Sequence, residues 1–209
     1  EKWRETLESA IALRPEHISF YSLQLEEGTP LFEAFARGEF TPASDADDRR
    51  MYHDGIRFLK EAGYVQYEIS NAALPRRESR HNLKYWSMDA YLSLGIGGHS
   101  FVNGTRFSNT TDIETYLASA GRTGPEISHV NSVRDNAGEF VFTGLRKTAG
   151  ISLTEFKAYI GIPFFDFYRS EEREIRAYIA DGVLELRGDR LRLTEAGTDI
   201  SNAVMSVFV

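Results

Sequence analysis

The chain has 209 residues, no cysteine, a hydrophobic fraction of 42%, a charged fraction of 26% and a formal net charge of −7 at pH 7. That length allows one domain or two small ones, and 14 Phe, 10 Tyr and 2 Trp are enough to fill a core. The missing cysteines exclude disulfides, a thiolate nucleophile and Cys-ligated zinc or iron–sulfur sites, and the acidity disfavours nonspecific binding to nucleic acid.

No apolar run approaches the roughly 20 residues of a membrane-spanning helix. No charged-then-apolar leader opens the chain, so the cytoplasm is the expected location. The charge is spread out, with −2 in residues 133–209 and −5 in residues 1–132. Neither part is a basic module.

A helix is predicted at the start, because Trp3, Leu7, Ala10 and Ile11 share one helical face. Pro15 stops it. A strand follows at residues 17–25, rich in aromatic and β-branched side chains. Residues 44–62 read as a second helix. Ser44 with Asp47 three positions on resembles a capping box, and Gly63 marks the end. Residues 64–70 read as a strand with Val65, Tyr67 and Ile69 on one face. This alternation predicts an α/β fold of parallel βα units. A βαβ unit needs a strand before its helix, so one or more upstream units are expected.

Residues 71–86 read as a polar loop. A short apolar stretch at residues 91–96 leads into Gly97, Gly98, His99 and Ser100. Residues 101–107 predict a hairpin, since Asn103-Gly104 is a preferred type I′ turn pair. Residues 113–120 predict a short helix, and residues 121–132 a linker to a second domain at residues 133–209. There the pattern gives a helix at residues 132–147, a helix capped by Ser152 with Glu155 and running to Ile160, and a helix capped by Ser170. A hairpin at residues 183–194 and a last helix at residues 195–208 follow. Helices followed by a hairpin resemble a winged-helix module. Its balanced charge argues for a structural role, with an interaction module for nucleic acid or protein as the alternative.

Of the five histidines, His17 starts a strand and His53 lies mid-helix, so both read as structural or surface residues. His129 falls in the linker. His81 and His99 read as loop residues that follow βα-type strands, where such folds place ligand sites. Around His81 stand Arg76, Arg77, Arg80, Lys84, Tyr85 and Trp86. A haem asks for these groups: a neutral imidazole for the iron, flat aromatic area and cations for the propionates. On composition alone, a solvated loop with its aromatics packed on the domain is the better account.

The order of the residues carries more. His81-Asn82-Leu83-Lys84-Tyr85-Trp86 matches the HNxxYW motif of the HemW haem chaperones. Tyr21-Ser22-Leu23-Gln24-Leu25-Glu26-Glu27-Gly28-Thr29-Pro30-Leu31 resembles the Y-x-L-x-x-E-x-G-T-P-L stretch of that family. Gly63-Tyr64 and Tyr67-Glu68-Ile69-Ser70-Asn71 resemble its GY and YEISN segments. Gly95-Ile96-Gly97-Gly98-His99-Ser100 resembles G-x-G-x-H-S. Gly144-Leu145-Arg146 and Leu193-Thr194 before Gly197 resemble its C-terminal domain. The ordered set covers essentially the whole chain and resembles the HemW group and its relatives, the oxygen-independent coproporphyrinogen III oxidases (HemN-type).

The resemblance implies a radical S-adenosylmethionine protein with a partial (β/α)6, TIM-like barrel followed by a small winged-helix-like domain. Residues 1–120 would be the last part of the barrel, beginning after its fourth strand. The family's 4Fe-4S cluster sits on a CxxxCxxC loop, and its main S-adenosylmethionine-binding glycine segment also lies upstream; this sequence has neither. The chain alone is therefore expected to be incompetent in radical chemistry. The resemblance implies haem as ligand, His81 as iron ligand, and Asn82, Tyr85 and Trp86 as motif members. It also implies Gly97, Gly98 and His99 at the barrel cavity mouth, with Tyr21 and Glu68 on barrel strands nearby. Expected partners are haem and haem-accepting proteins, with no nucleic acid. A barrel lacking its first strands is expected to self-associate. The coproporphyrinogen III oxidase reading, a porphyrin-biosynthesis enzyme, is the alternative; those enzymes do not keep the HNxxYW segment.

Overall fold

Trp3 illustrates how the first helix earns its place. In the computed structural model, which describes residues 2–119 and 126–209, α1 (Lys2–Ala12) lies against α3 (Asp45–Glu61). The Trp3 indole donates to the Met51 carbonyl at 2.8 Å. A Cβ at Gly55 would come within 3.1 Å of that ring, so the glycine makes room for the indole. The chain divides into two compact units, Glu1–Ser79 and Arg80–Val209.

In the first unit, α1 ends where Arg14 adopts a positive φ of 52°. β1 (His17–Ser19), α2 (Pro30–Ala36) and α3 follow, then β2 (Val65–Glu68) and β3 (Asn71–Ala73). Ser44 caps α3 by accepting from Asp47 N, and Gly63 has φ 90° just beyond its end, both as the sequence predicts. The sheet order is β1-β3-β2 with both pairings antiparallel. The predicted strands therefore run in the same direction, but β3 stands between them, where direct parallel pairing was expected. The segment 71–73 was predicted as loop. β1 is three residues long rather than nine, because a ladder extends only as far as its partner. Phe20 N donates to Ser70 O, and Leu74 N to Glu16 O, at the two ends of β3. α2 is absent from the prediction, although Thr29 caps it and Pro30 opens it. Leu7, Phe20, Leu59, Tyr64 and Ala72 form the core.

The second unit opens with α4 (Arg80–Trp86). A hairpin of β4 (His99–Val102) and β5 (Thr105–Ser108) follows. Asn103 at φ 49° and Gly104 at φ 74° make its turn, as expected of a type I′ pair. α5 (Ile113–Ala118) is capped by Asp112. β6 (Glu126–Val130) pairs antiparallel with β5. Residues 126–130, predicted as linker, are thus a third strand. Every residue of it is exposed, so pairing rather than burial holds it, and alternating burial leaves no signal. Residues 120–125, the end of the predicted helix and the start of the predicted linker, lie outside the described residues.

α6 (Val133–Gly144) starts at a full capping box of Ser132 and Asp135. β7 (Ile151–Ser152), α7 (Leu153–Ile160), α8 (Phe164–Phe167), α9 (Glu172–Ala180), β8 (Leu184–Arg187), β9 (Arg190–Leu193), α10 (Glu195–Asp199) and α11 (Ser201–Ser206) complete the unit. Ser152 caps α7 as predicted. Ser170 does not cap α9; Glu171 holds that position in αR backbone without a side-chain bond. The last predicted helix is two helices, divided at Ile200 (φ −118°, ψ 26°). The sheet order β7-β9-β8, all antiparallel, sets the hairpin beside the helices in winged-helix fashion. Phe156, Phe164, Tyr168 and Phe208 are almost wholly buried with their rings in mutual contact. Each such side chain is worth roughly 1.5–3 kcal/mol of burial. The same burial raises the Tyr168 phenol above its ordinary value.

Two predictions follow from local geometry. Gly150 has φ +66°, and a Cβ there would collide with the Leu191 carbonyl and lie 2.6 Å from Arg192 Cβ. Gly150→Ala is expected to destabilise the second unit by about 2–4 kcal/mol. Gly161→Ala, at φ +87° with open space around it, should cost only about 1–2 kcal/mol; denaturant midpoints compare the two.

The second prediction concerns acid. Hydrogen bonds from Ser152 and Thr154 hold the Asp189 carboxyl below its ordinary value. Asp135, bonded by the Ser132 backbone and side chain, and Asp112, bonded by Thr115, are lowered likewise. A lowered folded value means stability that is present above the ordinary carboxylate range near pH ~4. It is lost as pH falls through the folded values. Melting temperature should drop on acidification in that window, and Asp189→Asn should flatten the slope.

Candidate functional site

α4 carries the densest set of predicted site residues. Residues four apart on a helix share a face, so His81 and Tyr85 stand together, and so do Asn82 and Trp86. His81 was predicted in a loop; it lies on the first turn of this helix. The helix has few apolar residues, which hid it from periodicity. Ser87 N and Asp89 N donate to Leu83 O and Lys84 O (3.0 and 2.9 Å), and Met88 turns the chain at φ 55°.

The His81 ring is exposed. Tyr85 meets it edge-on, with centroids 4.9 Å apart. The Tyr85 hydroxyl lies 3.5 Å from His81 Nε2, the long limit of a hydrogen bond. Tyr85 in turn meets Tyr91 edge-on at 4.6 Å. Tyr91 is fixed by an isolated bridge to Phe101, with reciprocal backbone bonds of 2.9 and 3.0 Å. Arg106 lies 5.0 Å from the Phe101 ring centre and pairs with Glu139 at 2.7 Å. Burial works against the Arg106 charge, but Glu139 and Tyr91 together more than offset it and raise the guanidinium's pKa. On the other face, the Arg146 guanidinium covers Trp86 at 4.5 Å. Tyr91, Phe101, Arg106 and Arg146 are supporting residues that sequence reasoning missed, because the contacts join distant segments. The one available signal was the aromatic Tyr91 just before the glycine loop.

The glycine loop lies in the same unit. Gly97 has φ 62°. A Cβ on Gly98 would collide with the Ser93 hydroxyl and sit 3.3 Å from Asn109 Nδ2. Asn109 N donates to Gly98 O at 2.8 Å, and its side chain to Gly95 O at 2.8 Å. The loop is therefore pinned. His99, predicted in that loop, is the first residue of β4, exposed and paired in register with Ser108.

Tyr21 and Glu68 belong to the first unit. Tyr21, predicted on a strand, lies beyond the end of β1 and is 73% exposed. Its backbone leaves the sheet because β3 has no residue left to pair with it. Glu68 ends β2 and is fully buried. It accepts from Ser70 N at 2.9 Å and from the Asn71 side-chain amide, while Ser19 donates to Asn71. His17 meets the Tyr67 hydroxyl at 2.9 Å, His53 meets Tyr52 edge-on, and His129 lies 3.3 Å from Asp135. A cavity of about 850 Å³ between α1 and α3, lined by Trp3, Met51 and Phe58, contains none of the predicted site residues.

Among the described residues, no group of three or more His, Asp or Glu is placed to hold a metal ion. No helix there is long and apolar enough to cross a membrane. A haem fits what α4 offers: an exposed imidazole, an adjoining aromatic edge, and Arg80 and Lys84 on the same helix. A Cys-ligated cluster does not fit, because the chain has no cysteine.

Residues 131–200 match the model of the HemN C-terminal domain family. The chain is 29% identical over its full length to the heme chaperone HemW of Lactococcus lactis, covering 54% of that protein. It is 31% identical to HemW of Mycobacterium tuberculosis, over 96% of this chain and 49% of the relative. The chain thus spans about half the length of the curated relatives it matches. Among solved structures, Escherichia coli HemN, described as a coproporphyrinogen III oxidase and radical SAM enzyme, aligns over 99% of this chain and 50% of its own. The TM-score is 0.75 at 15% identity, a likeness of fold. Residues 131–200 thus match the HemN C-terminal domain family, and the chain as a whole is similar in sequence to HemW proteins and in fold to HemN.

Proposed function

We propose that this chain is part of a haem chaperone of the HemW type and that His81 is its haem-iron ligand. The observation that carries the reading is the His81 imidazole, exposed on a helix and flanked by Tyr85. A neutral imidazole nitrogen is a common haem ligand. The Tyr85 and Tyr91 rings give a flat apolar flank. Arg80 and Lys84 supply charge for the propionates. Likeness to relatives named heme chaperone supports the same reading.

In this reading residues 1–120 belong to a radical S-adenosylmethionine barrel, and residues 133–209 to its small C-terminal domain. S-adenosylmethionine and a 4Fe-4S cluster are cofactors of the whole protein. Haem-accepting proteins are its partners, and the cytoplasm its location. Tyr21 and Glu68 in the first unit, and Gly97, Gly98 and His99 in the second, are motif members in this reading, with Glu68 first of all a structural residue because it is buried and bonded. The transfer role asks for a ligand at the surface, where a recipient can compete for the iron. His81 meets that demand, being exposed on its helix.

Haem titration tests the reading. The wild-type chain is expected to shift the Soret band saturably. His81→Ala should alter the bound spectrum and weaken binding by about tenfold or more, while His129→Ala should not. A spectrum unchanged in His81→Ala would reject His81 as the ligand.

A further inference from the structure

α3 carries an ordered stripe of charge. Asp47, Arg50, Asp54, Arg57 and Glu61 form one wall of the cavity of about 850 Å³ between α1 and α3. Trp3, Met51 and Phe58 give that groove its apolar floor, and Met51 is 38% exposed. The stripe runs at intervals of 3, 4, 3 and 4 residues, the spacing at which one helix meets another along a seam. Its signs alternate from acid to base at every step.

Such a stripe can also serve a helix standing alone in water, through pairs three residues apart. Arg50 pairs with Asp47 at 2.5 Å, and Arg57 pairs with Asp54. Both arginine side chains are 71% exposed. Ion pairs this open to solvent are weak, so either arginine can turn to a new carboxylate at little cost.

The order of signs selects an occupant. Read backwards, Arg57, Asp54, Arg50 and Asp47 keep the intervals 3, 4 and 3, and each place takes the opposite charge. An antiparallel copy of α3 laid on the stripe therefore sets Asp47 against Arg57 and Arg50 against Asp54, twice each. A parallel copy in register sets like against like. The two-fold axis of the antiparallel pair falls at residue 52, so Met51 of each copy comes to the centre and the two apolar floors flank it. A slip of seven residues would still match Arg50 with Glu61 and Asp54 with Arg57, but it carries Met51 away from the axis. The surface is thus self-complementary, as an interface with two-fold symmetry must be.

We propose that α3 docks a second copy of this chain, antiparallel, through Asp47, Arg50, Asp54 and Arg57 around Met51. The inference is independent of His81 and of haem. Exposed ion pairs over a short apolar floor suit a dimer that dissociates readily rather than a permanent one.

Sedimentation of the full chain without haem tests it. The wild type is expected to form a reversible dimer at about 50 mM salt, and its affinity should fall roughly tenfold at about 500 mM as the charges are screened. Asp47→Lys with Asp54→Lys makes the four paired positions basic, and Arg50→Glu with Arg57→Glu makes them acidic. Each double variant alone should be monomeric, and an equimolar mixture of the two should recover the dimer. A monomeric wild type overturns the proposal. So does a basic variant that still dimerises, which would place the association at a sheet edge. A mixture that stays monomeric, with helix content by circular dichroism unchanged in both variants, overturns it as well. Should either variant lose helix, Met51→Glu takes its place: it should weaken the dimer roughly tenfold, and a dimer that it leaves unchanged rejects the interface.

Discussion

The contact between Arg146 and Trp86 determines where the candidate site stands. α4 has seven residues, too few to be stable as an isolated helix. What holds it is packing. The guanidinium 4.5 Å above the indole is a cation–π contact worth about 0.5–2 kcal/mol, and it ties the end of α4 to the residues that follow α6. The Tyr85–Tyr91 contact secures the opposite face. With both faces fastened, the His81 ring stands at the surface against the edge of Tyr85. An exposed imidazole on an anchored helix is preorganised, and a ligand that meets it need not immobilise the backbone first.

The same logic governs the neighbouring loop. Gly97 and Gly98 suggest freedom, but Asn109 spans the turn through its backbone and its side chain. Gly98 is there because a side chain would not fit beside Ser93, and Gly97 because its backbone has a φ of 62°. The segment is rigid because of close packing, and the hairpin that follows it inherits a fixed register. The aromatic series from Tyr85 through Tyr91 to Phe101 and Arg106 then joins α4, hairpin and α6 within one unit.

Much of this was legible in the sequence, in places where one residue does one job. Ser44, Ser132 and Ser152 stand at helix starts because their hydroxyls accept from an amide three residues on. Asn103-Gly104 marks the hairpin because both positions need positive φ. The His81 cluster was legible as an ordered motif. Other features were hidden for physical reasons. β3 is three residues of Asn and Ala, without the β-branched or aromatic content that marks a strand. β6 is exposed throughout and exists because β5 offers it partners. α4 reads as loop because it is short and carries no apolar stripe, and its packing lies in tertiary contacts. The supports of the site, Arg146 and Tyr91, sit far along the chain from His81, and no local pattern announces such a contact.

Phe208 has a further consequence. Its ring is fully buried against Phe164 and Tyr168, and its carbonyl accepts from the Tyr168 hydroxyl at 3.3 Å. That carbonyl also lies where a Cβ on Gly138 would come within 2.9 Å. The aromatic nucleus of the second unit thus waits for a residue made long after the helix it rests on. During synthesis α6 must emerge with its inner face bare, and contacts between distant positions close slowly. Completion of this unit is a late event in the life of the nascent chain, and until then its phenylalanines are surface that other proteins can touch.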